Sequence, residues 1–494
     1  MITSQIVDKN LQAYINNMIK LRYFVNITTH PLSCVDFFPP QCSDRGMKCK
    51  IHLLFLLFLI ILSGCVKTPK DYPEDIPLQI PLHLDIDPTA YEQLEGKDYY
   101  RQGDLIIAHM SDIHHFAPEL YDADSESFKR FALNSDGRTV LHTTELMESL
   151  KADLVARRVD ILLLSGDLSV LGGVETHRDM NRILTDFEEA GISVFVTTGN
   201  HDVNNPNALL IESNYLTAEG FRDLYAGFGF DQAVMAHSDS LSYLAPLDDN
   251  YYLLALDSSY YQNNIIMDHA AAAGNFVPSL HGWVKEVMER VNGEGRQVIV
   301  MSHHNFLHHY EIDWDLSNFM ISGGDPVRNL LIKEGVNLAL SGHIHKGDVK
   351  RHGDSDFYGI CTSAFSVYPH SYRLLGLSRR GAAISTVNLP LNYGEERNRE
   401  ILNFNWFISY KRTFLGQYER LAKSHSPEDA RAMAEYFYLV NLYAQQGLED
   451  RLPQEILESP GASLFEASDS RMKGFAKNLP LDSPPEDRHL ILRW

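Results

Sequence analysis

The chain has 494 residues, 44% hydrophobic and 22% charged, which excludes a wholly disordered polypeptide and allows one large or two ordinary domains. A formal net charge of −22 argues against a nucleic-acid polymer as partner, because phosphate backbones require basic surface. Of the five cysteines, Cys34, Cys42, Cys49 and Cys65 fall in the first 65 residues and only Cys361 follows, so no disulfide framework is expected.

In chain order, residues 1–46 show no clear periodicity. Met47 opens a different pattern: Lys48 and Lys50, then an apolar run from Leu53 to Leu62, then Leu62-Ser63-Gly64-Cys65. The run is shorter than the ~20 residues of a membrane span and suits the apolar region of a signal peptide. The last four residues resemble the bacterial lipobox. That resemblance implies a signal peptide over 47–64, lipid on Cys65, and a protein anchored to a membrane of the cell envelope, facing outside the cytoplasm. Residues 1–46 then read as an over-long N-terminal extension, with a genuine extension as the alternative. Residues 65–102, with Pro69, Pro73, Pro77 and Pro81, read as an extended tether and lead-in.

From residue 103, apolar runs alternate with helical patterns. Leu105–Met110 reads as a strand that ends in Ser111-Asp112-Ile113-His114. A helix over Thr143–Arg157 leads to a strand at Val159–Leu164 that ends in Gly166-Asp167. Met180, Ile183, Leu184 and Phe187 then recur at helical spacing before the strand Ile192–Val196, which ends in Gly199-Asn200-His201-Asp202. This alternation points to βαβ units. Residues 203–250 read as an insertion with a helical patch near Ala218–Tyr225. Further strands are expected at Tyr251–Leu256, Gln297–Met301 (ending in His303-His304) and Val336–Leu340 (ending in Gly342-His343-Ile344-His345), with a helix over Val277–Val291. After Asn392 the strand patterns stop. Helices are expected over Glu395–Lys423 and over Pro427–Gln446, the latter capped by Ser426 and stopped by Gly447. From Leu464 the chain looks loosely structured.

The strand ends collect Asp112, His114, Asp167, Asn200, His201, His303, His343 and His345. In open α/β sheets, ligands gather beyond the carboxyl ends of strands. Imidazoles with carboxylates suit Mn, Fe, Zn or similar ions. Two such ions about 3.5–4 Å apart can share a bridging carboxylate and hydroxide, and Asp167, alone after Gly166, is the natural bridge. His115, His308, His309 and His370 read as solvated or hydrogen-bonded side chains instead.

These motifs, taken in order over roughly 103–385, resemble the calcineurin-like metallophosphoesterase family: Asp-x-His, Gly-Asp, Gly-Asn-His-Asp, a lone or doubled His, and Gly-His-x-His. The resemblance implies an α/β sandwich of two mixed sheets flanked by helices, here over 103–391, with a C-terminal helical region over 392–494. It implies that Asp112, His114, Asp167 and His345 bind one divalent or trivalent transition-metal ion and that Asp167, Asn200, His303 and His343 bind the other. His303 is chosen over His304 by analogy with members that keep one histidine. It also implies that His201 protonates the leaving alkoxide and that Asp202 orients its ring. The expected activity is hydrolysis of phosphate esters by a metal-bridging hydroxide, leaning to phosphodiesters. A phosphomonoesterase, and a non-catalytic surface lipoprotein that retains the metal site, are the rival readings.

Overall fold

A computed structural model describes residues 99–310, 319–468, 473–480 and 485–493. The expected extension, signal peptide, lipidated Cys65 and the tether as far as residue 98 lie outside the described residues, whereas the last four residues expected in the tether, Tyr99–Gln102, form a 3-10 helix that buries Tyr100 in the core. Among the described residues, no helix is long and apolar enough to cross a membrane.

The fold is a sandwich of two mixed sheets. The strands, in chain order, are β1 (Leu105–Met110), β2 (Ile161–Leu164), β3 (Ser193–Val196), β4 (Met235–Ala236), β5 (Tyr243–Pro246), β6 (Tyr251–Leu256), β7 (Gly274–Asn275), β8 (Gln297–Ser302), β9 (Ile321–Ser322), β10 (Leu338–Ser341), β11 (Asp348–Arg351), β12 (Tyr358–Cys361), β13 (Ser371–Ser378), β14 (Gly381–Asn388) and β15 (His489–Arg493). The first sheet runs β15-β14-β13-β1-β2-β3 and the second β11-β12-β10-β8-β6-β5-β4, with β7 and β9 forming a separate pair. In the first sheet β1, β2 and β3 are parallel, while β13 is antiparallel to β1. In the second, β6, β8, β10 and β12 are parallel.

The strand sequences are continuously apolar because both faces are buried. Successive side chains point to opposite faces. Leu105 and Ile107 of β1 therefore join Leu163, Leu253, Ile299, Leu340 and Leu375 in the core between the sheets. Ala108 and Met110 point the other way. They pack on helices α1 (Thr143–Arg157) and α2 (Val174–Glu189) through Leu146, Leu150, Met180 and Leu184. The outer face of the second sheet is covered in the same way by α3 (Leu280–Glu294) and α4 (Asp325–Lys333), through Val284, Val287, Val327 and Leu331. The expected α/β sandwich is the observed one.

Two expectations are corrected. The region 203–250 is more than an insertion over the sheet edge, because it supplies β4 and β5, which pair antiparallel on the flank of β6. The C-terminus is not loose. Helix α5 (Glu395–Tyr410) continues through a π-type turn (411–415) into α6 (Gly416–Leu421), and α7 (Pro427–Gln445) begins at Ser426, whose Oγ accepts from the Asp429 N–H at 3.1 Å. Helix α8 (Pro460–Ala467) follows and lays Phe465 beside the rings of Tyr436 and Phe437. Strand β15 then pairs with β14, from Gly381↔Arg493 to Ser385↔His489. The partners that order this tail are distant in sequence. Asp487 accepts from the Val349 N–H, and the buried Arg488 donates to Gln446 O at 2.9 Å and Thr386 O at 3.3 Å. A local reading of Pro-Glu-Asp-Arg gives a turn and no hint of those contacts.

Candidate metal centre

The parallel registers level the strand ends. Met110 lies beside Leu164, and Leu164 beside Val196. The ladder continues past the strands, since the Asp112 N–H donates to Gly166 O at 3.1 Å and the His114 N–H to Asp167 O at 2.9 Å. The backbone then turns sharply. Asp112, His114, Asp167, His343 and His345 have φ of 56°, 48°, 51°, 70° and 57°, a left-handed region in which Asp and His are enriched among residues with a side chain. Each turn aims a side chain back over the strand end instead of along the sheet. Two glycines make room. A Cβ on Gly199 would lie 2.1 Å from Asp167 N and Oδ1, and one on Gly342 would lie 1.8 Å from Ser111 Oγ.

The side chains meet in two groups joined by Asp167. In the first, Asp112 Oδ1 lies 3.2 Å from His345 Nε2 and 3.6 Å from His114 Nε2, and the two imidazole nitrogens are 3.4 Å apart. In the second, His303 Nε2 lies 3.1 Å from Asn200 Oδ1, 3.1 Å from His343 Nδ1 and 3.4 Å from Asp167 Oδ2. Asp167 Oδ2 is also 3.7 Å from His114 Nε2 and 4.0 Å from His201 Nε2. The first sheet supplies Asp112, His114, Asp167 and Asn200, and the second supplies His303, His343 and His345.

This donor set fits cations. Asp112, His114 and His303 are fully buried and Asp167 is 2% exposed. Buried carboxylates are costly unless a positive charge faces them. Burial would raise Asp112, but His345, His114 and His303 hold its carboxyl well below the usual range. Burial acts on Asp167 in the same sense, and His303 and His201 outweigh it. Both groups are therefore carboxylates at neutral pH. Asp112, His114, His345 and Asp167 could hold one ion. Asp167, Asn200, His303 and His343 could hold a second.

The doublet is divided by hydrogen bonding. His303 donates from Nδ1 to Ser165 O at 2.8 Å, which directs Nε2 to the cluster. His304 is engaged elsewhere, through Nδ1 with Ser258 Oγ at 3.0 Å and Nε2 with Ala272 O at 3.2 Å. Similar partners occupy other histidines set aside from the sequence. His115 sits between Thr143 Oγ1 and Asp179 Oδ2, His309 on Asp348, and His370 between Phe365 O and Asn405 Nδ2, while His308 is exposed.

The expected pairing of Asp202 with the His201 ring is corrected. His201 Nδ1 donates to Val170 O at 2.8 Å, and this bond sets the ring with Nε2 toward the cluster. Asp202 is fully buried and accepts from the Ser169 and Gly199 N–H groups at 2.9 and 2.8 Å. It ties two loops together, because a carboxylate satisfies backbone donors better than it can reach a ring turned away from it. Burial lowers the His201 pKa, the Asp167 charge opposes that, and the Arg138 guanidinium adds to it. Arg138 was missed in the sequence. Its Nη1 lies 3.2 Å from His114 Nδ1, and its Nε donates to Ser135 O. It stands in a connecting loop, and no local pattern marks it.

Residues 105–347 match the family model described as calcineurin-like phosphoesterase. Among solved structures, the chain is similar to a dimetal phosphatase from Danio rerio at 15% identity, covering 59% of this chain and 100% of that one, with a TM-score of 0.41. It is also similar to a putative 5'-nucleotidase from Staphylococcus aureus at 10% identity, covering 65% and 66%, with a TM-score of 0.35. A third, GAP50 of the Plasmodium inner membrane complex, is 11% identical, covering 58% and 87%, with a TM-score of 0.32. No curated protein matches this chain.

Proposed function

We propose that the strand-end cluster is the dinuclear centre of a metal-dependent phosphoesterase preferring phosphodiesters, a reading supported by the match of residues 105–347 to the calcineurin-like phosphoesterase family. The observation that carries the dinuclear reading is the position of Asp167. Its Oδ2 lies within 4.0 Å of ring nitrogens from His114, His201 and His303, which come from three different strand ends. When bound, two ions would supply an activated water as nucleophile and offset the charge of the phosphoryl oxygens. Asp112, His114 and His345 complete one position and Asn200, His303 and His343 the other. His201, once protonated at Nε2, is the proton donor to the leaving oxygen. Val170 O holds its Nδ1–H, so the second nitrogen faces the site.

The test is turnover of bis(p-nitrophenyl) phosphate and p-nitrophenyl phosphate by metal-loaded protein, with metal content measured on the same samples. Two ions per chain, loss of turnover on chelation, and the diester as better substrate are expected. Undiminished turnover after chelation would sink the reading, and a faster monoester would overturn the diester preference.

The same reading extends to location. A lipid on Cys65 would hold the two-sheet domain and its C-terminal helices outside the cytoplasm, on a tether that begins at residue 65. Cys65→Ala should leave an unlipidated precursor, and an unchanged mass and membrane fraction would refute the anchor.

A further inference from the structure

Arg138 stands beside the metal cluster, in the connection between β1 and α1. It is 9% exposed. Its Nη1 straddles the His114 ring, 3.2 Å from Nδ1 and 3.4 Å from Nε2. The same ring meets that of His201 edge-on, with centroids 4.9 Å apart. The guanidinium and the proton donor assigned above are therefore neighbours of one imidazole.

Charge is the first observation. Among the described residues no carboxylate pairs with Arg138, and Asp136, the nearest acid in sequence, is paired with Arg412 at 3.0 Å. A buried charge is costly unless an opposite charge faces it. Of the side chains that could hold the ions, only Asp112 and Asp167 are anionic. Two divalent ions would leave the centre positive, and Arg138 adds to that excess. The second observation is a free donor. Nε donates to Ser135 O at 3.0 Å and Nη1 faces His114, while Nη2 meets no hydrogen-bond partner among the described residues and is not sealed from solvent. Open space is close by, since the adjoining Asp136 and Gly137 line, with His345, a cavity of about 390 Å³ beside the C-terminal helices. The third is rigidity. Asp136 and Gly137 are both left-handed, with φ of 58° and 85°. The turn they make lies on the helical region, where a Cβ on Gly137 would be 3.5 Å from Arg412 Cβ and 3.7 Å from Ser409 Cα. On the other side of Arg138, the Thr139 N–H donates to Ser366 O at 2.6 Å. Ser366 in turn donates to Asp112 O, from its N–H at 3.2 Å and its Oγ at 2.8 Å. Arg138 is thereby held in a fixed place relative to Asp112.

We propose that Arg138 grips the substrate, with Nη2 donating to a non-bridging phosphoryl oxygen whose charge the guanidinium offsets. This rests on the phosphoesterase reading of the adjoining centre and adds a phosphate-binding residue to it. In a diester, an oxygen nucleophile bonds to phosphorus and the ester oxygen leaves with the proton of His201. Meanwhile the non-bridging oxygens pass from sharing one negative charge to sharing two. A cation fixed there in advance stabilises the transition state more than the bound ester.

Two measurements on the full chain separate this proposal from the reading beneath it. The first needs no turnover: calorimetric titration of metal-loaded protein with inorganic phosphate, with metal content measured on the same samples. Arg138→Gln should keep two ions per chain and bind phosphate at least tenfold more weakly than wild type. Unchanged affinity overturns the proposal. Loss of metal overturns it too, because Arg138 would then serve to hold the His114 ring. Arg138→Lys answers the same question if Arg138→Gln is too unstable to assay. Lysine keeps the charge but has one nitrogen in place of the fork, so its affinity should fall at least threefold, and wild-type affinity in it would show that Nη2 is not the contact. The second measurement is kcat and KM for bis(p-nitrophenyl) phosphate. Arg138→Gln should lower kcat about 10²–10³-fold and raise KM by less, and a change confined to KM would refute the transition-state role. If wild type hydrolyses no ester while phosphate binding still depends on Arg138, the phosphoesterase reading falls and the anion site at Arg138 stands.

Discussion

The metal cluster and the cavity next to it share a wall but are assembled in opposite ways. In the cluster, the side chains stand at strand ends of level register, and Asp112, His114, Asp167, His343 and His345 are each turned by their own left-handed backbone. In the cavity lined by His345, Lys346 and the C-terminal helices, Lys346 is placed by Asn441 and Arg412 by Asp136, both far away in sequence. Local placement leaves a motif that can be read, whereas long-range placement leaves none. The cluster should therefore fail when one position is changed, and the cavity should fail by degrees.

The sharpest break is Asp167→Asn. An amide supplies no negative charge and only one oxygen, so both ions should be lost and turnover should fall to background. Elemental analysis decides it, and two ions retained per chain would show that Asp167 does not bridge. Gly199→Ala should approach the same result without touching a ligand, since its methyl group would need the space held by Asp167 N and Oδ1. Its metal content should fall while circular dichroism shows the fold retained.

Next in size is His201→Ala, which should keep both ions and lose about 10²–10⁴-fold in kcat/KM. The loss should be larger for an alkyl ester than for an aryl ester, because nitrophenolate leaves without a proton. Equal losses on both esters would refute the role of proton donor. On the side of long-range placement, Leu492→Ala in β15 should cost about 2–5 kcal/mol in urea unfolding, because Leu492 is 5% exposed in the core between the sheets. A cost near zero would return the C-terminus to the loose state the sequence suggested.

The smallest effect is in acid. His370 is buried and lies between Phe365 O and Asn405. Burial lowers its pKa to about 4, against a raising contribution from the Phe365 bond and a further lowering by His142. A base with a depressed folded pKa takes up its proton more readily when unfolded. Its stabilising contribution is therefore complete above the ordinary histidine range near pH 6.5 and lost as pH falls from there toward 4. The slope should be at most about 1.4 kcal/mol per pH unit for this one proton. His370→Gln should flatten it in denaturation midpoints taken from pH 7 to pH 4.

The same contrast explains what the sequence disclosed. The strands around Asp112, Asp167, Asn200, His303 and His343 could be read because each is an apolar run cut off by residues that a core has no use for. Ser426 as a cap was legible for the same local reason. The division of His303 from His304 was not, since it depends on Ser165, Ser258 and Ala272. Asp202 was placed in the right loop and given the wrong partner, because its neighbour in sequence is turned away from it in space. Arg138 carried no signal, and strand β15 was hidden because its register is set by β14, about a hundred residues earlier.

Neither sheet owns the centre. Asp112, His114, Asp167 and Asn200 come from one and His303, His343 and His345 from the other. Ions held between them would act as rivets through the sandwich, and filling the centre and closing the two sheets would be one equilibrium. The protein's heat resistance then reports the supply of metal around it. At a free ion concentration a hundred times the dissociation constant, one site would add about 2.7 kcal/mol to stability. A cell starved of the metal would lose folded protein as well as turnover.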